Sequence, residues 1–134
     1  MDIQKLLDSM SEVARAERSR YHVTLGNMIA ELIKVAADTP VEFSHGHSPG
    51  TPHSYRGYYS DLSFEPGSDP ITAGDLLKVC TTALGTTFKG YKGGDFRMGP
   101  NTPLWAATYG CTGPAIVALT ATLEKVILTT KDIE

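Results

Sequence analysis

Apolar residues recur at three- and four-residue steps over residues 2–18. Ile3, Leu6, Leu7, Met10, Val13 and Ala14 fall on one face and charge on the other, the pattern of an amphipathic helix. Its stripe needs a cover, supplied either by the protein's own sheet or by the same helix of a second copy. A second helix is predicted to open at Thr24, a good N-cap residue. It runs through Met28, Ile29, Leu32, Ile33 and Val35 and stops near Asp38 and Thr39, before Pro40. Val41, Glu42 and Phe43 then alternate like a short strand. Residues 45–57 hold two prolines, three glycines and three histidines, a composition that excludes a helix or a central strand. They are expected to form a loop of about a dozen residues, a length often given over to function. Tyr58, Tyr59, Leu62 and Phe64 follow as a strand, and a turn over residues 66–70 ends the first half.

The second half repeats an earlier pattern. Ile71-Thr72-Ala73-Gly74-Asp75-Leu76-Leu77 matches Val23-Thr24-Leu25-Gly26-Asn27-Met28-Ile29 in residue class at every position but the third. Thr72 is a second predicted N-cap, with Asp75 placed for a capping box. Each copy leads from a helix to a strand, a candidate duplication of a helix-and-hairpin unit; chance similarity of two capped helices is the alternative. The hairpin of the second copy would be residues 86–105. After it, residues 115–122 and 126–130 are rich in β-branched residues with period-two alternation and read as antiparallel strands. The fold class expected is α+β, a mostly antiparallel sheet with two or three helices on one face.

Composition narrows this to one domain, residues 1–134. The chain has 134 residues, 41% hydrophobic and 20% charged, which is enough to bury a core without staples. A net charge of -3 argues against duplex nucleic acid as a partner. Residues 86–105 nevertheless carry Lys89, Lys92 and Arg97 against the single acid Asp95, a local excess suited to a small anionic ligand. Cys80 and Cys111 sit in apolar surroundings and read as buried thiols rather than a disulfide framework. The chain opens on no secretory leader and has no run of about 20 apolar residues, so a cytoplasmic protein is expected, with no membrane partner.

Residues 86–105 are also the richest in candidate chemistry. Phe88, Tyr91 and Phe96 are interleaved with the three cations across Gly90, Gly93, Gly94 and Gly99, and Asn101, Thr102 and Trp105 follow. Aromatic faces beside cations on a bare backbone can stack a base and hold a phosphate. The same residues also describe a soluble hairpin with a glycine turn. Arg56, flanked by Tyr55, Tyr58 and Tyr59, is a second candidate: a guanidinium grips phosphate bidentately and a tyrosine ring stacks on a base. The competing reading is a strand with half-buried tyrosines and a solvated arginine.

His45, His47 and His53 have spacing compatible with a metal, but no Cys or paired acid nearby completes a shell. No metal and no cofactor is therefore expected. His53 with Asp61 is a conceivable acid and base pair. The chain carries no G-x-S-x-G elbow and no phosphate-binding loop with its Lys, so binding without turnover fits best.

Taken together, SYRGYYSDL (54–62), ITAGDLL (71–77), TFKGYKGGDFRM (87–98) and NTPLWAATYG (101–110) resemble a family of small phage anti-defence proteins, the first-described sponges that block the Thoeris system. The resemblance covers residues 23–117 and implies a protein without enzymatic activity in the host cytoplasm. Such a protein sequesters cyclic ADP-ribose isomers and, in some members, the cyclic di- or trinucleotides of CBASS. It implies a homo-oligomer, a dimer or a hexamer of dimers, with ligand held between protomers. The family's ligand-contacting aromatic and Asn would fall on Phe88 or Tyr91 and on Asn101. The expected ligand-binding set is Arg56, Tyr58, Phe88, Tyr91, Lys92, Arg97 and Asn101. In it Arg56 and Lys92 or Arg97 hold the pyrophosphate, Tyr58, Phe88 and Tyr91 stack on adenine, and Asn101 bonds base or ribose. The His-rich segment is not part of the family pattern. Two alternatives stand beside the sponge: a phosphodiesterase or nucleotide hydrolase using that segment, and a protein-binding module using the first helix.

Overall fold

A computed structural model describes residues 22–55, 61–67, 69–90, 93–107 and 113–132. The first predicted helix, residues 2–18, lies outside them. Two helices, α1 (Leu25–Ile33) and α2 (Ala73–Ala83), accompany strands β1 (Pro40–Phe43), β2 (Ser48–Ser54), β3 (Leu62–Gly67), β4 (Ile71–Thr72), β5 (Thr87–Lys89), β6 (Asp95–Arg97), β7 (Leu104–Ala106), β8 (Ala115–Ala121) and β9 (Val126–Lys131). The class is α+β. None of the described helices is long and apolar enough to cross a membrane.

Both helices start as their sequences predict. Thr24 Oγ1 accepts from the Asn27 N–H, and Thr72 Oγ1 from the Asp75 N–H, each at 3.2 Å, so one otherwise orphaned donor per helix is satisfied. Helix α1 buries Leu25, Met28 and Leu32; α2 buries Ala73, Leu76, Cys80 and Ala83. This spacing turns one stripe of each helix inward. Those stripes join Val41, Phe43, Leu62, Phe64, Met98, Leu104, Ile116, Val126 and Leu128 in one hydrophobic core. Gly85, at φ +80°, ends α2 in the left-handed region that glycine tolerates.

The large sheet has the order β2-β3-β7-β8-β9-β1-β4. β1 and β2 are consecutive and joined by a tight turn in which the Phe43 N–H donates to the His47 carbonyl at 2.7 Å, while β4 lies along the start of β1. Most ladders are antiparallel, but β1 runs parallel to β9 and β3 parallel to β7. The sheet is therefore mixed. The chain reaches β7 from β3 by way of α2, the long crossover that a parallel pair requires.

The hydrogen bonds of the two halves follow one plan. Leu62, Ser63 and Phe64 lie opposite Leu104, Trp105 and Ala106; Val126, Ile127 and Leu128 lie opposite Val41, Glu42 and Phe43. Pairing of β2 with β3 is irregular between Pro49 and Pro52, and pairing of β8 with β9 is irregular at the matching place, between Ile116 and Ala118. The helix starts are exchanged between halves. Leu25 and Gly26 donate to the Thr102 and Pro100 carbonyls, at 2.9 and 2.9 Å, whereas Ala73 and Gly74 donate to the Thr39 and Ala37 carbonyls, at 2.7 and 2.9 Å. Each helix is thus docked on the loop that precedes the other half's first strand.

This plan revises two sequence expectations. The second half connects its helix to its first strand with residues 84–102, where the first half uses 34–39. The β5–β6 hairpin is therefore an addition to the repeated unit; the strands matching β1, β2 and β3 are β7, β8 and β9. Residues 48–54, expected to be loop, form β2. Proline is accommodated there because the strand begins one end of the sheet order and its register slips between Pro49 and Pro52, where a missing N–H breaks little of the ladder.

Candidate functional site

The added hairpin is short and firmly based. Thr87 pairs with Arg97, Phe88 with Phe96 and Lys89 with Asp95. Gly93 and Gly94, at φ +94° and +84°, make the turn that only glycine forms without strain, and the Gly90 N–H closes it on the Gly94 carbonyl at 3.0 Å. At the base, Gly85 donates to the Met98 carbonyl and Met98 to the Thr86 carbonyl, at 2.8 and 3.0 Å, with the Met98 side chain buried in the core.

Strand alternation divides the hairpin into two faces. Phe88 and Phe96 are half-buried and pack against the main core, while Thr87, Lys89, Asp95 and Arg97 are exposed. Lys89 sits opposite Asp95, so their charges offset each other across the ladder. Arg97 sits opposite Thr87, and its guanidinium is directed toward Gly85, where an added Cβ would lie 3.7 Å from it. Phe88 also forms one wall of a cleft of about 340 Å³ completed by Pro52, Lys78, Val79, Thr82, Ala83 and Thr86. That volume is in the range of small-molecule sites.

Asn101 is exposed on a turn fixed on both sides. Thr102 Oγ1 accepts from the Gly99 N–H at 2.8 Å, and the Thr102 N–H returns to the Gly99 carbonyl at 3.1 Å. Thr102 itself is fully buried. Of the seven residues expected to bind ligand, the structure places Phe88 and Arg97 on opposite faces of one hairpin and Asn101 on the turn that follows it. Arg56, Tyr58, Tyr91 and Lys92 lie outside the described residues.

The histidines do not converge. The His45 ring packs on Phe43 at 4.9 Å and on His47 at 5.4 Å. Partial burial, and next the charge of His47, lower the pKa of His45. His53 is turned away to Glu65, Nε2 to Oε1 2.9 Å, not to Asp61. Among the described residues no group of three or more His, Cys, Asp or Glu is placed to hold a metal ion. Burial pushes the Cys80 thiol up to about 12, so the reactive thiolate is scarce at neutral pH.

A buried cluster around Trp105 was not legible as a unit in the sequence. The indole Nε1 donates to Asp61 Oδ2 at 2.9 Å, and Asp61 is fully buried. The Tyr55 ring stacks on the indole at 4.2 Å with a 6° interplanar angle, and its hydroxyl donates to the Gly113 carbonyl at 2.9 Å. His22 packs on the indole at 4.5 Å. By the repeated plan, the positions of Trp105 and Asp61 correspond to Glu42 and Lys125, which form a half-exposed ion pair at 2.8 Å. The halves therefore differ most in chemistry where one keeps a solvated pair and the other a buried aromatic stack. Asp61 and Trp105 are 44 residues apart, and no local motif links them.

Searches among protein families, curated proteins and solved structures return no match for this chain.

Proposed function

We propose that the protein is a binding protein that sequesters small cyclic nucleotide signals, cyclic ADP-ribose isomers first among them and cyclic di- or trinucleotides second, without cleaving them, and so serves a phage against Thoeris or CBASS defence. The observation that carries this reading is the hairpin itself. The repeated scaffold connects its first helix and strand with residues 34–39 alone, and the second connection adds the segment in which aromatic and cationic residues are interleaved. A segment that the repeated unit does without is free to serve a ligand.

The cleft beside Phe88 offers a flat ring an apolar wall, with Lys78 at its border. Arg97 and Asn101 supply a charge-assisted donor and an amide to the same region of the chain. Phe88 and Arg97 face opposite ways, so a ligand touching both extends around the hairpin or is shared between two copies; the second arrangement agrees with the dimer or hexamer of dimers that the resemblance implies. Sequestration rather than turnover is favoured because the candidate catalytic groups are not brought together: His53 pairs with Glu65 and not with Asp61, His45 and His47 pack on each other, and burial keeps Cys80 a thiol.

Titration calorimetry with cyclic ADP-ribose isomers tests the assignment. Wild type is expected to bind at least one isomer, and Asn101→Ala and Arg97→Ala each to weaken binding about tenfold, or roughly 1.4 kcal/mol. Unchanged affinity in both variants, with cooperative unfolding retained, removes this site.

A further inference from the structure

Gly26 lies on α1, far in sequence from the hairpin, yet it meets the turn that carries Asn101. A Cβ built there would fall 2.8 Å from the Pro100 carbonyl oxygen, 3.1 Å from the Pro100 Cβ and 3.2 Å from its Cα. The first of these is closer than a real Cβ approaches backbone, and a carbonyl held in a turn cannot swing aside as a side chain would. The Gly26 N–H donates to that same carbonyl, and the Leu25 N–H to the Thr102 carbonyl. Two of the N-terminal donors of α1 are therefore spent on holding residues 100 and 102. On the other side, buried Thr102 ties back to Gly99 through its hydroxyl and its N–H. Between these fixed points lies Asn101, its side chain exposed.

From this arrangement we infer that Gly26 and Thr102 are positioning residues for Asn101, and that the start of α1 sets where the Asn101 amide meets a ligand. The inference deepens the binding role proposed for Asn101 and rests on it. Rigid placement matters because a backbone already held in one conformation gives up less freedom when a ligand arrives.

The duplicated plan supplies the control. Gly74 occupies the matching place on α2, where a Cβ would lie 3.0 Å from the Ala37 Cβ and 3.1 Å from its carbonyl oxygen. Gly74→Ala therefore crowds the equivalent junction at Asp38, in the half that lacks the hairpin. Both glycines have ordinary helical backbone, so alanine is acceptable to each in conformation and the difference lies in what the methyl meets.

The experiment compares Gly26→Ala, Gly74→Ala, Thr102→Val and Thr102→Ser in the full chain, with two readouts. Amide-proton exchange is followed at Gly99 and Thr102 without ligand, and affinity is measured for cyclic ADP-ribose. Expected is faster exchange and affinity weakened on the order of tenfold in Gly26→Ala and Thr102→Val, near wild-type behaviour in Gly74→Ala, and rescue of the Thr102 effect by serine, which restores the hydroxyl. Unaltered exchange at Gly99 and Thr102 in Gly26→Ala overturns the clamp. Faster exchange with full affinity overturns the positioning role. Equal loss of affinity in Gly26→Ala and Gly74→Ala reduces both to general stability and overturns it too. If wild type itself does not bind the probe, the binding reading fails, while the exchange arm still decides whether α1 holds the turn.

Discussion

At the scale of single residues, hydrogen bonds at buried or terminal positions decide what a substitution costs. Thr24 and Thr72 each satisfy one helix-start N–H, and Thr24→Ala or Thr72→Ala is expected to destabilise by about 1 kcal/mol in chemical denaturation. Trp105→Phe removes the donor facing a fully buried carboxylate and is expected to cost about 1–3 kcal/mol. Cys80 gives a pH dependence. Its native pKa is raised to about 12, so above the ordinary thiol range of about 8.5 the unfolded chain has lost a proton that the native protein keeps. Stability then falls as pH rises from about 9 toward 12, and Cys80→Ala is expected to flatten that part of the profile. The caps could be read from sequence because Thr24 and Thr72 act on residues three places away. The Trp105 cluster could not, since His22, Tyr55 with Asp61, Trp105 and Gly113 come from four separate segments.

Among the described elements, both helices were legible and the sheet was only partly so. The N-caps Thr24 and Thr72 and the repeated pattern around them located α1 and α2, because a cap acts within its own first turn. Alternation located β8 and β9, which pair from Ala115 to Ala121 with one irregularity between Ile116 and Ala118. β2 was hidden by Pro49 and Pro52, residues that a strand accepts only at an edge or an irregularity, a context that local composition does not reveal. The parallel pairings of β1 with β9 and β3 with β7 depend on contacts between halves and leave no local trace. The repeat shows at the helix starts, but its extent does not, because the hairpin interrupts the second copy. Replacing residues 84–99 by a short connection with the sequence of residues 34–36 is expected to leave cooperative unfolding and secondary structure in place while abolishing ligand binding. Loss of the fold, read by circular dichroism, would mean that Phe88 and Phe96 serve chiefly as core.

For the whole molecule, the architecture is two copies of one helix-and-three-strand plan whose helix starts are exchanged and whose strands join one mixed sheet. Such a scaffold holds its two halves in fixed relation, and function is then expected where the copies differ. They differ at the β5–β6 hairpin, at Asn101 in place of Asp38, and at Trp105 with Asp61 in place of Glu42 with Lys125. An asparagine in place of an aspartate suits an anionic ligand, since a carboxylate there would repel phosphate. Asn101→Asp, which keeps size and shape, is accordingly expected to weaken binding at neutral pH about as much as Asn101→Ala. The central claim, capture without turnover, is tested most directly by incubating the protein with cyclic ADP-ribose isomers and cyclic di- and trinucleotides, removing the protein by filtration, and heating the retained fraction. At least one signal is expected to be depleted from the filtrate and released unchanged on heating; a signal that returns chemically altered, or a filtrate in which none is depleted, overturns capture without turnover.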